Sequence, residues 1–206
     1  AEREGGNIFA KPVYTTKLAE YPVVNLSNVT IRNGKTTVSS NSYGGGNIAF
    51  TRVVATIGEG TQILDGVTAS RGGNMRLFIG TVVMTGGKIS GGIANRNTGY
   101  EEIHMESNAQ KYPAVFYMLG GVIENRETEA NAIRVNAYSK FYLGGNATIV
   151  DNDPSNAELY IYKGTDSAGK LFIWDGWTGS ATVDSNGVTW SDSVNIPSDM
   201  IQLVTL

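Results

Sequence analysis

The stretch Gly5-Gly6-Asn7-Ile8 recurs along the chain as Gly45-Gly46-Asn47-Ile48 and as Gly72-Gly73-Asn74-Met75. Three apolar segments continue the series, with cores at Ile103-His104-Met105, Ile133-Arg134-Val135 and Leu159-Tyr160-Ile161. From Ile8 onward the successive intervals are 40, 27, 28, 30 and 26 residues, so one repeat takes about 27 residues. The longest interval indicates an insertion near residues 14–21, because a loop lengthens at little cost when the stacked strands are left alone.

A second series of bends lies inside each repeat. Glycine pairs precede an isoleucine at Gly86-Gly87, Gly120-Gly121 and Gly144-Gly145, and Gly58-Glu59-Gly60 takes the same place earlier. Glycine adopts left-handed backbone angles without steric cost, which is what a bend between two short strands requires. Each repeat is therefore predicted to consist of short strands joined by tight bends, and we find no window with helical periodicity.

A unit of about 27 residues with several short strands cannot bury an apolar face alone, whereas stacked units can. The sequence therefore predicts an all-β fold, a right-handed parallel β-helix of about six coils, because parallel crossovers are right-handed in about 98% of cases. Alternation along the strands predicts that one set of apolar side chains points inward. This set is Ile48, Phe50, Met75, Leu77, Ile103, Met105, Ile133, Val135, Leu159 and Ile161.

The whole chain, residues 1–206, is predicted to form a single domain. Repeat coils are expected at about 5–162, and an irregular last coil or cap at about 163–206, where the period degrades. The chain starts in repeat register and ends on apolar residues, which we interpret as a fragment of a longer protein. Contacts with neighbouring domains or copies are expected at the ends of the solenoid.

Composition narrows the classes of partner. The net charge of −3 gives no basic footprint for nucleic acid, and no apolar run approaches the length of a membrane helix, so neither partner is expected. The chain has no cysteine, which excludes disulfides, thiolate metal sites and a catalytic thiol. We expect no cofactor.

The segment Met84-Thr85-Gly86-Gly87-Lys88-Ile89-Ser90-Gly91, echoed at residues 118–125, resembles the Gly-Gly-x-Ile repeat of pectate-lyase-like β-helices in surface proteins of gut bacteria. The resemblance covers roughly residues 45–152. It implies an extracellular or cell-surface location in a bacterium. Members of that family include adhesins, capsule-associated proteins and polysaccharide-degrading enzymes.

Catalytic signatures are not recognisable. The Asn-Thr-Asp, Asp-Asp and Gly-His-Gly motifs of polygalacturonase-like enzymes and the arginine-calcium pattern of lyases are missing. The nearest carboxylate pairs, Glu101 with Glu102 and Asp151 with Asp153, are interpreted as a solvated loop and as a turn before Pro154. Calcium at the aspartate pair is the alternative. We assign no catalytic or metal-binding residue, and Gly86-Gly87-Lys88 lacks the spacing of a phosphate loop.

Two groups of side chains are candidate ligand contacts. Trp174, Asp175 and Trp177 form the densest aromatic cluster, which could stack on sugar rings or plug the end of the core. The other group derives from period 2 along the strands, because the neighbours of the inward residues must face outward. Those neighbours are Ala49, Arg76, His104, Arg134 and Tyr160, and beside them lie Thr51, Phe78, Glu106, Asn136 and Tyr162.

Such a face can hold an anionic glycan, with Arg76 and Arg134 binding carboxylates or sulfates and Phe78 and Tyr162 stacking on sugar rings. A solvated strand face without a ligand is the alternative. The sequence favours a non-catalytic surface module, adhesive or structural, that contacts host or cell-wall glycans. The other interpretation is a polysaccharide lyase or glycoside hydrolase acting on an anionic polysaccharide.

Overall fold

The structure, a computed structural model, describes residues 4–13, 17, 20–39, 43–95, 102–126, 131–151, 159–162, 164, 166–173, 177–179 and 183–184. Seventeen strands are assigned, and no α-helix occurs among these residues. The strands are β1 (Ile8–Ala10), β2 (Val23–Leu26), β3 (Thr30–Arg32), β4 (Lys35–Thr36), β5 (Ile48–Ile57), β6 (Gln62–Leu64), β7 (Val67–Thr68), β8 (Met75–Ser90), β9 (Ile93–Ala94), β10 (Ile103–Glu106), β11 (Ala114–Asn125), β12 (Ile133–Val135), β13 (Lys140–Leu143), β14 (Thr148–Asp151), β15 (Leu159–Ile161), β16 (Lys170–Ile173) and β17 (Val183–Asp184).

The pairing between these strands is parallel throughout, and it stacks them into a solenoid with three faces. Face A consists of β1, the starts of β5 and β8, then β10, β12, β15 and β17. Face B consists of β2, residues 54–57, 81–84 and 115–118, then β13 and β16. Face C consists of β3, β6, residues 88–90 and 122–125, and β14. The predicted all-β parallel solenoid is confirmed.

The solenoid has about four turns, fewer than the six predicted. The prediction counted strands of face A alone, whereas a full turn needs strands on all sides. In the described chain the small sheet of β4, β7 and β9 accompanies only the first three coils. The insertion is confirmed, because β1 and β2 pair with successive parts of the continuous strand β5, so most of the extra residues lie between Ala10 and Val23.

The core is a column of apolar side chains stacked coil upon coil. All ten residues predicted to point inward on face A are buried, and they belong to one apolar cluster. Faces B and C add a second set from the same alternation, including Met84, Phe116 and Phe141. Phe116 and Phe141 stack with ring centroids 5.5 Å apart, since parallel register places them on neighbouring rungs. Burial of this column is the main apolar driving force for folding.

The corners of the solenoid use two kinds of residue. The bend from face B to face C uses glycine, and at Gly87, with φ +87°, a Cβ would come within 2.5 Å of the Thr61 carbonyl oxygen. The corner from face A to face B instead uses non-glycine residues in the left-handed region: Arg52, Ile79 and Tyr138, with φ of 54°, 60° and 55°. A β-branched residue such as Ile79 is rare there, so this corner carries backbone strain that neighbouring coils must hold.

A ladder of side-chain amides runs beside the core, at the residue just before each of the first three face A strands, β1, β5 and β8. Asn7 Nδ2 donates to Asn47 Oδ1 at 2.7 Å, and Asn47 Nδ2 donates to Asn74 Oδ1 at 2.6 Å. Asn74 Nδ2 then donates to Glu102 Oε2 at 2.6 Å, so a carboxyl ends the ladder. The Gly-Gly-Asn triplets of the sequence are the first three rungs.

Each rung also ties two faces of the solenoid together. Asn47 Oδ1 accepts from the Gly34 N–H and Asn47 Nδ2 donates to the Leu64 carbonyl. Asn74 makes the equivalent pair, accepting from the Gly66 N–H at 3.0 Å and donating to the Ser90 carbonyl at 2.9 Å. The ladder therefore supplies the acceptor for the buried Gly34 and Gly66 N–H groups at the turns after face C, and it adds a second donor to the Leu64 and Ser90 carbonyls.

Replacing Asn74 with Ala should destabilise the protein by about 3 kcal/mol, because it leaves the buried Gly66 N–H without its partner, takes one of two hydrogen bonds from Asn47 Nδ2 and removes the donor to Glu102 Oε2. The matched control is Asn7→Ala at the exposed first rung, where water can replace the lost bonds, with an expected loss below about 1 kcal/mol. Urea unfolding measures both. Equal losses for the two variants would contradict the ladder's structural role.

Candidate ligand-binding site on face A

The two outward ladders predicted on face A are present in the described strands. Ala49, Arg76, His104, Arg134 and Tyr160 are successive register partners on five neighbouring strands of face A. Thr51, Phe78 and Glu106 are partners two residues further along. Asn136 and Tyr162 come directly after the next two strands, and the Tyr162 N–H donates to the Val135 carbonyl. The stacking brings all of these side chains onto one surface.

The middle of this surface is covered rather than solvated. Ala49, Arg76 and His104 are 0%, 3% and 1% exposed, so an open strand face is the wrong description of these rungs. The physical reason is a charge cluster, in which Arg76 is held between the carboxylates of Glu4 and Glu106. Phe78, Arg134, Tyr160 and Tyr162 are half-buried.

Arg76 is the centre of the cluster. Its Nη2 and Nε lie 2.6 Å and 3.1 Å from Glu106 Oε1, a forked contact, and its Nη1 lies 3.3 Å from Glu4 Oε1. The guanidinium carbon is 5.2 Å from the centroid of the Phe78 ring. One guanidinium thus bridges two carboxylates while resting near an aromatic ring, a geometry that fixes its orientation.

Two arginines and a histidine surround the Glu106 carboxylate. Besides Arg76, Arg71 Nη1 donates to Glu106 Oε2, and His104 Nε2 lies 3.5 Å from the same oxygen. Burial alone would raise the pKa of Glu106, but the hydrogen bond and charge of His104 and the charges of Arg76 and Arg71 outweigh it and lower the pKa to about 2. Glu106 is therefore a carboxylate at neutral pH.

Glu4 behaves in the opposite way. Burial raises the pKa of its carboxyl above the ordinary value, and the charges of Arg76 and Lys11 oppose that shift without cancelling it. Glu4 is placed by the parallel bridge to Gly44 beside the first strand of face A. Arg76 therefore lies between two carboxyl groups whose pKa values are shifted in opposite directions, that of Glu4 upward and that of Glu106 downward.

These residues line a cleft of about 510 Å³ on face A, at the corner with face B. Its walls combine cations, carboxylates, aromatic rings and small polar groups: Glu4, Lys11, Tyr43, Thr51, Arg71, Arg76, Phe78, Glu106, Ser107 and Asn108. Ser107 Oγ donates to the Tyr112 carbonyl at 2.6 Å, which holds the loop between β10 and β11 against the cleft. Among the described residues of the walls, three cationic side chains face two carboxylates, so the cleft favours an anionic group.

The repeat pattern predicted the strand residues of this cleft and missed those on loops. Glu4, Lys11, Tyr43 and Arg71 lie before or between strands, where the period of the repeat gives no information about direction. The Asn47 and Asn74 amides were recognised only as part of a turn motif. Their side chains form a hydrogen-bonded column, and repetition of the same amide in the first three coils was the signal for it.

Arg134 and Tyr160 extend the surface away from the cleft. The Arg134 guanidinium lies over the Tyr160 ring, 4.1 Å from its centroid. These two residues are register partners, so the stacking of β12 on β15 produces the contact. A planar cation over an aromatic face is a pair with a fixed orientation.

The aromatic cluster near the C-terminus is only partly described. Trp174 and Asp175 lie outside the described residues. Trp177 packs against the apolar core, and its Nε1 donates to the Ala147 carbonyl at 2.9 Å. This placement matches the cap interpretation for Trp177, whose indole N–H is engaged with the backbone of the preceding coil.

Each of the two carboxylate pairs considered in the sequence analysis also has one member that the structure describes and one that it does not. Glu101 and Asp153 lie outside the described residues, and Asp151 ends β14 opposite Asn125. Glu102 contradicts the interpretation as part of a solvated loop, because it is fully buried at the end of the amide ladder. The sequence hides this role, since Glu replaces the expected Asn at the fourth rung.

Glu102 sits in a cradle of donors. Besides Asn74, the Gly92 N–H donates to Glu102 Oε1 at 2.7 Å. Burial nevertheless raises the pKa of Glu102 to about 8, and the hydrogen bonds from Asn74, Gly92 and Gly91 and the charge of Arg126 limit the shift. A perturbed buried carboxyl is a common sign of a functional site. For Glu102, burial at the end of the amide ladder is sufficient to explain the raised pKa, without a functional role.

The raised pKa makes stability depend on pH. The stabilising contribution of protonated Glu102 is fully present below the ordinary pKa of 4.5 and is lost as pH rises through about 8. Glu102→Asn continues the ladder with a neutral amide, so the parent should lose more than about 1 kcal/mol relative to the variant between these two pH values. Urea midpoints across this range measure the difference. Parallel pH profiles would contradict it.

Comparison of the chain with models of known families, with curated proteins and with solved structures finds no match. The structure supports a parallel β-solenoid, and these comparisons give no support to the finer resemblance to pectate-lyase-like proteins. No helix in the described ranges is long and apolar enough to cross a membrane. Nor do the described residues contain a group of three or more acidic or histidine side chains that could hold a metal ion.

Proposed function

We propose that this chain is a non-catalytic module of a bacterial cell surface or secreted protein, and that it binds an acidic glycan on face A. The observation that carries the proposal is the cleft around Arg76. It combines planar cations with aromatic rings, and among its described residues the cations outnumber the carboxylates. Aromatic faces contact the apolar side of sugar rings, and guanidinium groups bind carboxylates or sulfates with two hydrogen bonds.

The stacked coils also suit a polymeric ligand. Neighbouring rungs lie about 4.8 Å apart, so equivalent side chains repeat along the axis at short, regular steps. Beyond the cleft, Arg134 and Tyr160 follow the buried His104 by one and two rungs on the same face, where both are half-buried. A chain-like ligand can therefore contact several coils at once, and each contact is held rigidly by the strands.

Glycan binding can be tested at the rim of the cleft, because a substitution there leaves the ion pairs of Arg76 with Glu4 and Glu106 intact. Lys11 is exposed, lines the cleft and lies 5.2 Å from the Phe9 ring centroid. Lys11→Gln should weaken binding to uronate or sulfated glycans about threefold at low salt, because one cationic contact is lost. A glycan array followed by titration of the glycans bound by the parent measures the effect.

Lys111→Gln is the matched control, since Lys111 is equally exposed and rests 5.4 Å from the Tyr112 ring centroid outside the cleft. It should bind as the parent does. Failure of the parent to bind any acidic glycan, or equal losses for the two variants, would overturn the proposal.

A second candidate, hydrolysis of the glycan, is favoured by one observation. Glycoside hydrolases use one protonated and one ionised carboxyl group, and Glu4 and Glu106 flank Arg76 with pKa values shifted in opposite directions. Against it stands the engagement of Glu106 by the two guanidinium groups of Arg71 and Arg76, which lowers its reactivity as a base or nucleophile.

Under the favoured proposal, prolonged incubation with polygalacturonate should release no reducing ends and no unsaturated uronate products. Assays of reducing sugar and of ultraviolet absorbance measure the two reactions. Product formed by the parent and abolished in Glu4→Gln, but retained in Lys111→Gln, would replace the binding role with an enzymatic one.

A further inference from the structure

We propose that Lys140 and Lys170 form an anion-binding subsite at the start of face B, which takes a carboxylate or sulfate group. The assignment of that group to an acidic glycan rests on the function proposed above, whereas the anion site does not. Nothing in the sequence pattern singled out these lysines, since they belong to two different coils. The register of β13 on β16 makes them direct partners.

Direct partners on parallel strands point to the same side of the sheet, about 4.8 Å apart. Two ammonium groups in this arrangement repel each other. Lys140 is half-buried and Lys170 is exposed, and within the described part of the chain neither forms an ion pair with a carboxylate. A bound anion between the two side chains would convert this repulsion into attraction.

The two lysines also line a concave site and not a flat surface. A pocket of about 220 Å³ lies at the corner between faces A and B, bounded by Gln110, Tyr138, Ser139 and Asp166 as well as the lysines. Asp166 is the single carboxylate among the described residues of this wall, so the ammonium groups outnumber it. The pocket is large enough for a sulfate or a uronate carboxyl group and its attached ring carbon.

Backbone hydrogen bonds between coils fix the walls of this pocket. The Tyr138 N–H donates to the Ser167 carbonyl at 2.9 Å, and the Lys170 N–H donates to the Ser139 carbonyl at 2.9 Å. Tyr138 adopts a left-handed backbone at φ 55°, which turns the chain sharply there. The pocket is therefore preformed by the corner, and binding an anion requires ordering of little more than two lysine side chains.

Position along the solenoid connects the pocket to the cleft on face A. Ser107 and Asn108 of the loop between β10 and β11 line the cleft, and Gln110 of the same loop lines the pocket. Lys140 lies two coils beyond Arg76 by register. An acidic polymer bound in the cleft can thus present a later acidic group to Lys140 and Lys170 along the same corner.

The experiment uses inorganic sulfate as the probe and the melting temperature of the full chain as the readout. At equal ionic strength, sodium sulfate should raise the melting temperature of the parent above its value in sodium chloride by about 2 °C. K140Q/K170Q should lose this difference. K17Q/K35Q, which removes the same charge from exposed lysines of the first coil, should retain it.

No sulfate-specific rise in the parent, or an equal loss in K17Q/K35Q, would overturn the anion site. Because this assay contains no glycan, such a result would leave the cleft on face A untouched. Polygalacturonate and dextran sulfate then separate the two acidic groups. K140Q/K170Q should weaken binding of one or both polymers by about fivefold. If binding of both polymers is unchanged, the lysines are not a glycan subsite, and a sulfate response in the parent would then support an anion site alone.

Discussion

Parallel register between successive coils is the constraint on which the rest of this molecule depends. Because each strand pairs with the equivalent residues of the next coil, a side chain meets its own counterpart one rung away. Each position of the repeat must therefore carry a type of residue that can stack on the equivalent residue of the next coil. Apolar side chains do so without cost, and the interior is filled in this way. Polar, aromatic and charged side chains each need a different solution.

The amide is the polar group that stacks best, because it carries a donor and an acceptor at once. Asn7, Asn47 and Asn74 pass one hydrogen bond down the column and still satisfy turn backbone on either side. The aromatic solution is seen on face B, where Tyr117, Tyr142 and Phe172 stack with centroids 4.5 Å and 4.4 Å apart. Their faces cover one another, so this stack offers mainly ring edges to solvent and suits a sugar ring less than an uncovered face would.

Periodicity in the sequence predicted the regular parts of the fold, and prediction failed where that periodicity is interrupted. The inward positions of Ile48, Met75 and Ile133 and the outward ladder through Arg76 and His104 both result from alternation within a 27-residue repeat. Burial of that ladder could not be predicted, since Glu4 and Lys11 reach it from segments outside the repeat. The left-handed backbone at Ile79 could not be predicted either, because a β-branched residue gives no local signal for a left-handed turn. Glu102 was misplaced because its neighbours in sequence are polar while its neighbours in space are other rungs of the ladder.

Cations are the residues that self-stacking tolerates least, and the chain treats two cationic stacks differently. On face A, Glu106 lies two residues after His104, on the same side of the strand, where it binds Arg76 and Arg71 at once. The carboxylate needed to neutralise the stack is thus supplied from within the repeat. Lys140 and Lys170 have no such carboxylate two positions along, because Tyr142 and Phe172 occupy those places. The same spacing that cancels charge on face A therefore leaves charge uncancelled on face B, and it does so beside a preformed pocket. The ion pair between Arg76 and Glu106 makes the cationic stack of face A a rigid part of the fold. The stack of Lys140 and Lys170 would instead be stabilised most by a bound anion from solution.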